Sequence, residues 1–246
     1  MAKTALRMDL SIRSRRPQPV ALRPHRLMNV LLFGATGMVG QGVLRECLLA
    51  PDVQRVTTVG RSATGQSHER LRDIVHADLT DLSSLDAQFA EVDACSFCLG
   101  VSALGLSEEA YTKLTYDLTL TVAEMLVRAN ARMTFVYVSG MGTDSTEKGR
   151  TMWARVKGRT ENALLHLPFA HAYMFRPGII IPMHGIISKT TLYRITYAVL
   201  SPLYPLLKLA MPRTITSTEQ VGRAMLAVAR TGYPKSILEA ADINTL

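Results

Sequence analysis

The chain has only three cysteines in 246 residues. That is too few for a disulfide framework and fits a reducing compartment, read here as the cytosol, so a cytoplasmic protein is expected. Six histidines, His25, His68, His76, His166, His171 and His184, show no H-E-x-x-H or comparable ligand spacing. A metal site is therefore not expected. The sequence also lacks the roughly 18 uninterrupted apolar residues that a membrane span requires. The nearest approach, "ITYAVLSPLYPLL" from Ile195 to Leu207, is short, contains two prolines and is flanked by Arg194 and Lys208. It reads as a core element or a pocket wall. Internal repeats and low-complexity segments are absent too.

What is present is 48% hydrophobic content, enough to bury a sizeable core. The formal charge is +8 and the pI about 9.6, which raises the question of a nucleic-acid partner. Its distribution answers against one. Before Met28 stand Lys3, Arg7, Arg13, Arg15, Arg16, Arg23 and Arg26 against Asp9 alone, so seven minus one places six of the eight net charges there. Residues 1–27 thus form a basic tail, expected to be disordered. Three readings stay open: a transit peptide, a segment for an anionic surface, or translated sequence upstream of a start at Met28. The third is preferred because Met28 directly precedes the first strand-like run.

From there the pattern alternates. "NVLLF" is a short apolar run, a helical pattern follows from Met38 to Leu49, and "RVTTVG", "DIVHADL" and "DACSFCLG" each suit a short buried strand. A long helix is predicted from about Glu108 to Asn130, with Ser107 as N-cap and Ala110, Leu114, Leu118, Val122, Met125 and Leu126 on one stripe. "MTFVYVSG" is a strand, a helix begins at "MWARVKGRT", and "AYMFRPGII" is a strand running into a loop. This βαβα order predicts an α/β protein with a doubly wound, Rossmann-type parallel sheet. Residues 28–178 form the nucleotide-binding part in this reading. Residues 179–246 form a small substrate-side cap that completes the fold. The cap ends in a helix signalled by Ser217 with Gln220 as a capping box and by Gly232 and Pro234 beyond its end.

"LLFGATGMVGQGVL" sets Gly34, Gly37 and Gly40 between the first strand and the first helix. Glycines there permit a tight turn, backbone approach to a pyrophosphate and close helix–sheet packing, and the helix N-terminus attracts the anion. The spacing G-x-x-G-x-x-G, with "HADLTD" and "YVSG" downstream, resembles the extended and atypical short-chain dehydrogenase/reductase superfamily, the NAD(P)-dependent epimerase/dehydratase kind, over about Asn29 to Gly178. The resemblance implies that Thr36, Met38 and Val39 join the glycines at the cofactor. It places Asp78 and Leu79 beside the adenine, and Leu99, Gly100 and Val101 along the cofactor after the fourth strand. Asp78 has a second reading, as a turn cap. Where a carboxylate would take the ribose hydroxyls of NAD, the second strand ends "VGRS". Arg61 suits a 2'-phosphate, so NADP(H) is preferred over NAD(H), although Arg61 also reads as a solvated loop residue.

The resemblance further implies a serine, a tyrosine and, four residues on, a lysine. The lysine lowers the phenol pKa and holds the ribose, the phenol transfers the proton, and the serine binds the reacting oxygen. Ser139 matches the serine and Lys157 the lysine. Trp153, the sole tryptophan, stands at the tyrosine position. Its indole donates a hydrogen bond but does not titrate in a useful range. Trp153 also reads as a packing residue, and Tyr137 is a remote substitute acid. Pro177 and Gly178 match the loop that contacts the carboxamide, or are plain turn chemistry. "CSFC" lies in a strand, where residues three apart face opposite ways, so its thiols are expected to be buried and apart. Two functions follow: a reductase or epimerase/dehydratase relative on a small lipophilic substrate, or a non-catalytic NADPH sensor or scaffold. The long helix from Glu108 to Asn130 resembles the dimerisation helix of that family, and the resemblance implies that a homodimer can form.

Overall fold

The computed structural model describes residues 27–186, 209, 211 and 213–246. The basic leader before Leu27 and the Ile195–Leu207 stretch lie outside them. Strand β1 (Met28–Phe33) feeds α1 (Met38–Leu49), followed by β2 (Val53–Gly60), β3 (Leu71–Val75), a short α2 (Asp86–Phe89) and β4 (Ala94–Phe97). Next come α3 (Glu108–Thr112), α4 (Leu118–Ala129), β5 (Thr134–Val138), α5 (Met152–His166) and β6 (His171–Arg176). Beyond β6 lie β7 (Ile179–Ile181), β8 (Ile215–Ser217), α6 (Thr218–Thr231), β9 (Ile237–Glu239) and α7 (Ala240–Ile243).

Seven strands form one sheet in the order β3-β2-β1-β4-β5-β6-β9, and every neighbouring pair is parallel. The chain moves outward one way from β1 and then the other way from β4. The loops after these two strands therefore part and leave a crevice at the carboxyl edge of the sheet. Strands β7 and β8 pair separately. The architecture is α/β, Rossmann-type, as the alternation of periods implies.

Strand β1 shows why both faces need helices. Val30 and Leu32 join an apolar cluster with Val43 and Leu44 of α1 and Val221 and Met225 of α6. Leu31 and Phe33 point the other way, into a cluster with Phe97, Phe135 and the α4 residues Val122 and Leu126. A strand buried on both faces reads as an unbroken apolar run, which is what "NVLLF" is.

Two local expectations are corrected. The predicted long helix starts as expected, with Ser107 Oγ accepting the Ala110 N–H at 3.2 Å, but Lys113–Asp117 form a π turn. The additional residue in that turn rotates the inner face. Tyr111 and Thr115 are buried instead, and Leu114, expected inside, is 46% exposed. At α6, Ser217 Oγ accepts the Gln220 N–H at 3.1 Å, but the Gln220 side chain donates to the Ile243 carbonyl at 2.9 Å. The capping box is half made because Gln220 ties α6 to α7.

Candidate functional site

The glycine loop is shaped by close backbone approach. Gly34 has φ +78°, and a Cβ there would lie 2.7 Å from the Cys98 carbonyl at the end of β4. A Cβ on Gly40, in the first turn of α1, would come within 2.1 Å of the Gly34 carbonyl oxygen. Only glycines let helix, loop and sheet meet this closely. The Gly37 N–H donates to Gly34 O at 2.9 Å, and no side chain caps α1. Its first turn carries no acid, so the positive end of the helix faces the crevice without a competing carboxylate.

On one side of this loop, Ala35, Thr36, Gly60, Arg61, Ser62 and Leu79 help line a cavity of about 110 Å³. The acid on the adjoining strand is committed elsewhere. Asp73 accepts from Thr58 Oγ1 at 2.5 Å, from the Thr64 N–H at 2.8 Å and from Thr64 Oγ1 at 2.7 Å. Burial pushes its carboxyl up, but these hydrogen bonds outweigh it and hold the group below the usual range. Asp78 does not line this cavity. Its Oδ1 accepts the Thr80 hydroxyl at 2.6 Å and the Thr80 N–H at 2.8 Å, which lowers its pKa. The turn-cap reading of Asp78 is the one the structure displays.

On the other side opens a cleft of about 580 Å³. Met38 and Val39 of α1 form one wall, Leu99, Gly100 and Val101 another, and Pro177 and Gly178 close the far side. Ser139, Trp153 and Lys157 all line it, so the three residues separated in sequence by a loop and a helical turn share one space. Trp153 and Lys157 lie on the same face of α5, as their i, i+4 spacing requires. The backbone takes a left-handed turn at Gly142, with φ +86°, where a Cβ would lie 3.6 Å from the Trp153 ring. Ser139 is buried, and its Oγ lies 2.9 Å from Thr143 Oγ1, which in turn donates to the Gly140 carbonyl at 2.8 Å. Because the Thr143 proton is spent on that carbonyl, the Ser139 hydroxyl is the donor of the pair. Its own lone pairs remain for a group in the cleft.

Among the described residues no carboxylate forms an ion pair with Lys157. Its Nζ lies 3.5 Å from both Tyr137 Oη and the Val138 carbonyl, and 5.2 Å from the centre of the Tyr137 ring. Burial lowers its pKa to about 8, against a smaller upward pull from Glu161. Tyr137 is fully buried behind the lysine, and burial drives its phenol well above the ordinary range. It does not reach the cleft. Cys98 does, but burial raises its thiol strongly. Cys95 lies buried in β4, and all three cysteines are free.

Beneath α5, the fully buried Glu161 accepts from Arg176 Nε at 3.0 Å and Nη2 at 2.5 Å. Arg176 also donates to Ser145 Oγ at 2.5 Å and Glu239 at 3.3 Å. This network joins β6, α5 and β9. Sequence reasoning missed both Thr143 and the Arg176–Glu161 pair. "RPG" was read for its turn chemistry, while the arginine before it and the glutamate one helical turn after Lys157 carried the signal. Among the described residues no His, Cys, Asp and Glu cluster could hold a metal ion, and no helix is long and apolar enough to cross a membrane.

Fold and cleft together define a Rossmann-type protein of the short-chain dehydrogenase/reductase kind. Residues 30–151 match the NAD dependent epimerase/dehydratase family, and the chain belongs to that family as an atypical member. It is similar to "Protein fmp52, mitochondrial" of Emericella nidulans, 29% identical over 164 residues covering 63% of this chain and 67% of that one. It is also similar to "Protein HTATIP2" of Rattus norvegicus, 27% identical over 156 residues, 62% and 63% of the two chains. Among solved structures it resembles the Bordetella bronchiseptica enzyme WbmF in complex with NAD+, with TM-score 0.63, 18% identity and coverage of 90% and 77%. A short chain dehydrogenase from Burkholderia cenocepacia in complex with NADP gives TM-score 0.61, 15% identity and coverage of 91% and 93%. These likenesses establish the fold. They also correct the expected cytoplasmic location, because the fungal relatives are named mitochondrial proteins. Low cysteine usage indicates a reducing environment and does not choose among compartments that share it.

Proposed function

We propose that the chain is an NADP(H)-dependent oxidoreductase, or an epimerase/dehydratase-type relative, acting on a small lipophilic substrate. The observation that carries this reading is the junction of two cavities: Leu99 borders both the small Arg61 cavity and the large Ser139–Lys157 cleft. A dinucleotide fits this arrangement, with its pyrophosphate at the uncapped N-terminus of α1 between the two. Gly34, Gly37 and Gly40 admit the phosphates, and Thr36, Leu79, Gly60 and Arg61 take the adenosine side. Arg61 meets a 2'-phosphate while Asp73, held by Thr58 and Thr64, does not oppose it. Leu99, Gly100, Val101, Pro177 and Gly178 flank the nicotinamide side, and Lys157 holds the ribose. A bound nicotinamide supplies hydride transfer. Ser139 accepts a hydrogen bond from the substrate hydroxyl, and Trp153 walls the cleft. The exposed Val101, Met141 and Ile179 at the cleft mouth favour an apolar substrate.

The test is a titration of the purified protein with NADPH and, in parallel, NADH, read through the fluorescence of Trp153, which is the only tryptophan and lines the cleft. Tight NADPH binding with at least tenfold weaker NADH binding supports the reading. Binding of neither nucleotide removes it. A second reading, a nucleotide-binding sensor or scaffold without turnover, is favoured by Trp153 at the position of the family's acid. The exposed Leu114 on the π turn lies on the long helix pair expected to form a homodimer, and sedimentation of the Leu114→Glu variant as a monomer against a dimeric parent would support that assembly.

A further inference from the structure

We propose that Lys157, beyond holding a ribose, is itself the proton donor and acceptor of the cleft, taking over the task for which Trp153 is unfit. The proposal rests on the nucleotide reading above and on an elimination among the residues that line the cleft. Besides glycines and apolar side chains, the cleft walls offer Cys98, Ser102, Ser139, Trp153 and Lys157. Trp153 cannot titrate. The Ser139 proton is directed away from the cleft, through Thr143 to the Gly140 carbonyl. Ser102 already accepts the Leu104 N–H, and a serine hydroxyl does not ionise near neutrality. The Cys98 thiol is held protonated by burial. Lys157 alone presents N–H bonds into the space and can give one up.

Its surroundings suit that task. The groups facing it are Tyr137 Oη and the Val138 carbonyl at 3.5 Å from β5, and Glu161 one turn on along α5. Glu161 is engaged by Arg176, so no carboxylate locks the ammonium in place. Tyr137 is neutral through burial. A desolvated ammonium with long, weak contacts parts with a proton near neutral pH, and acid–base catalysis is most effective there. In carbonyl reduction the substrate carbon would take a hydride, which carries the electron pair, from a reduced nicotinamide that is left oxidised. The C=O π bond is replaced by one C–H and one O–H bond. The proton on oxygen comes from Lys157 Nζ, and the neutral amine is reprotonated from water at the cleft mouth.

The first measurement needs no nucleotide. Limited acetylation with acetic anhydride as a function of pH, read by mass spectrometry, should give Lys157 a half-point near pH 8, against about 10.4 for solvated lysines. A half-point shared with the other lysines overturns the proposal. The second compares parent and Lys157→Arg protein for NADPH binding and for NADPH-dependent reduction of octanal. Arginine keeps the charge and the donor for a ribose but does not release a proton. The expected result is NADPH affinity within a few-fold of the parent and a reduction rate lower by at least about 10²-fold, with the pH profile losing its limb near 8. Turnover and profile unchanged in Lys157→Arg overturn the proton role while leaving the nucleotide reading intact. Binding without reduction in the parent overturns it as well, since no proton transfer is then served. No nucleotide binding in the parent overturns both.

Discussion

The two ends of the cleft are made of different material. At the end proposed for the pyrophosphate the surfaces are backbone: Gly34 and Gly40 press loop against strand and helix, and α1 presents its uncapped amides. At the reaction end the surfaces are side chains, Ser139, Trp153 and Lys157, held by the Thr143 relay above and the Arg176–Glu161 pair below. At Gly34 and Gly40 no side chain is admitted, because a Cβ there collides with backbone. A side-chain-built site can exchange one member and keep its frame. On the function proposed above, Trp153 is such an exchange: α5, Lys157 and Ser139 remain placed around a residue with different chemistry.

The largest expected effect tests that exchange. Trp153→Tyr should place a phenol beside Lys157 and let it take over the proton transfer, so that Lys157→Arg, expected to slow the parent's NADPH-dependent carbonyl reduction by at least about 10²-fold, slows the tyrosine variant by less than about tenfold. Steady-state rates with octanal measure it. Loss of a turnover present in the parent would instead make the tryptophan part of the mechanism, and the frame would then be tuned to it.

Next comes the support under that frame. Glu161→Gln removes the buried carboxylate from Arg176; breaking such a pair costs up to about 3–5 kcal/mol, and the half-exposed Glu239 at 3.3 Å offsets only part of it. Urea denaturation should show that loss. The acetylation half-point of Lys157 should fall further, since Glu161 is the group that raises it. NADPH affinity, set mainly at the other end, should change by only a few-fold. An equal collapse of affinity would show that the two ends are not separate.

The same contrast decided what could be read from the amino-acid order. Gly34, Gly37 and Gly40 between an apolar strand and a helix are a local signal for local geometry, and β1, α1 and the sheet followed from period alone. Lys157 and Trp153 were readable because i, i+4 spacing places them on one helical face. Thr143 and Glu161 were not, because their importance comes from partners across the fold: Ser139 four residues away around a turn, and Arg176 on another strand. Leu114 was misplaced because a π turn leaves no mark in an apolar periodicity. Asp78 was ambiguous for a related reason, since an aspartate two residues before a threonine suits both a ligand contact and the turn it makes with Thr80.

A smaller effect sharpens the comparison from the backbone end. Arg61 is the one side chain there given a selective role, and Arg61→Ala should weaken NADPH binding by about 10- to 100-fold, the worth of one or two charge-assisted hydrogen bonds. NADH affinity should stay unchanged, as should the acetylation half-point of Lys157. A parallel loss of NADH affinity would mean that Arg61 shapes the loop rather than selecting the phosphate.

The smallest effect separates the ends by titration. Below pH 8 Lys157 is charged in both folded and unfolded chains, and the folded state bears the full cost of burying the ammonium. As pH rises through about 8 the folded side chain releases its proton, whereas the unfolded one stays charged to near its model value of 10.5. The unfolded chain then binds more protons, so stability rises with pH across that window. Relative to Lys157→Met, the parent should gain on the order of 1 kcal/mol, allowing for the solvent that reaches the cleft. Cys47, pushed up to about 12 by burial, favours the folded state less as pH rises, but it does so in both proteins and leaves the difference. A flat difference would mean that Lys157 is as well solvated as the adenosine end, and that its proton is no more available than that of any surface lysine.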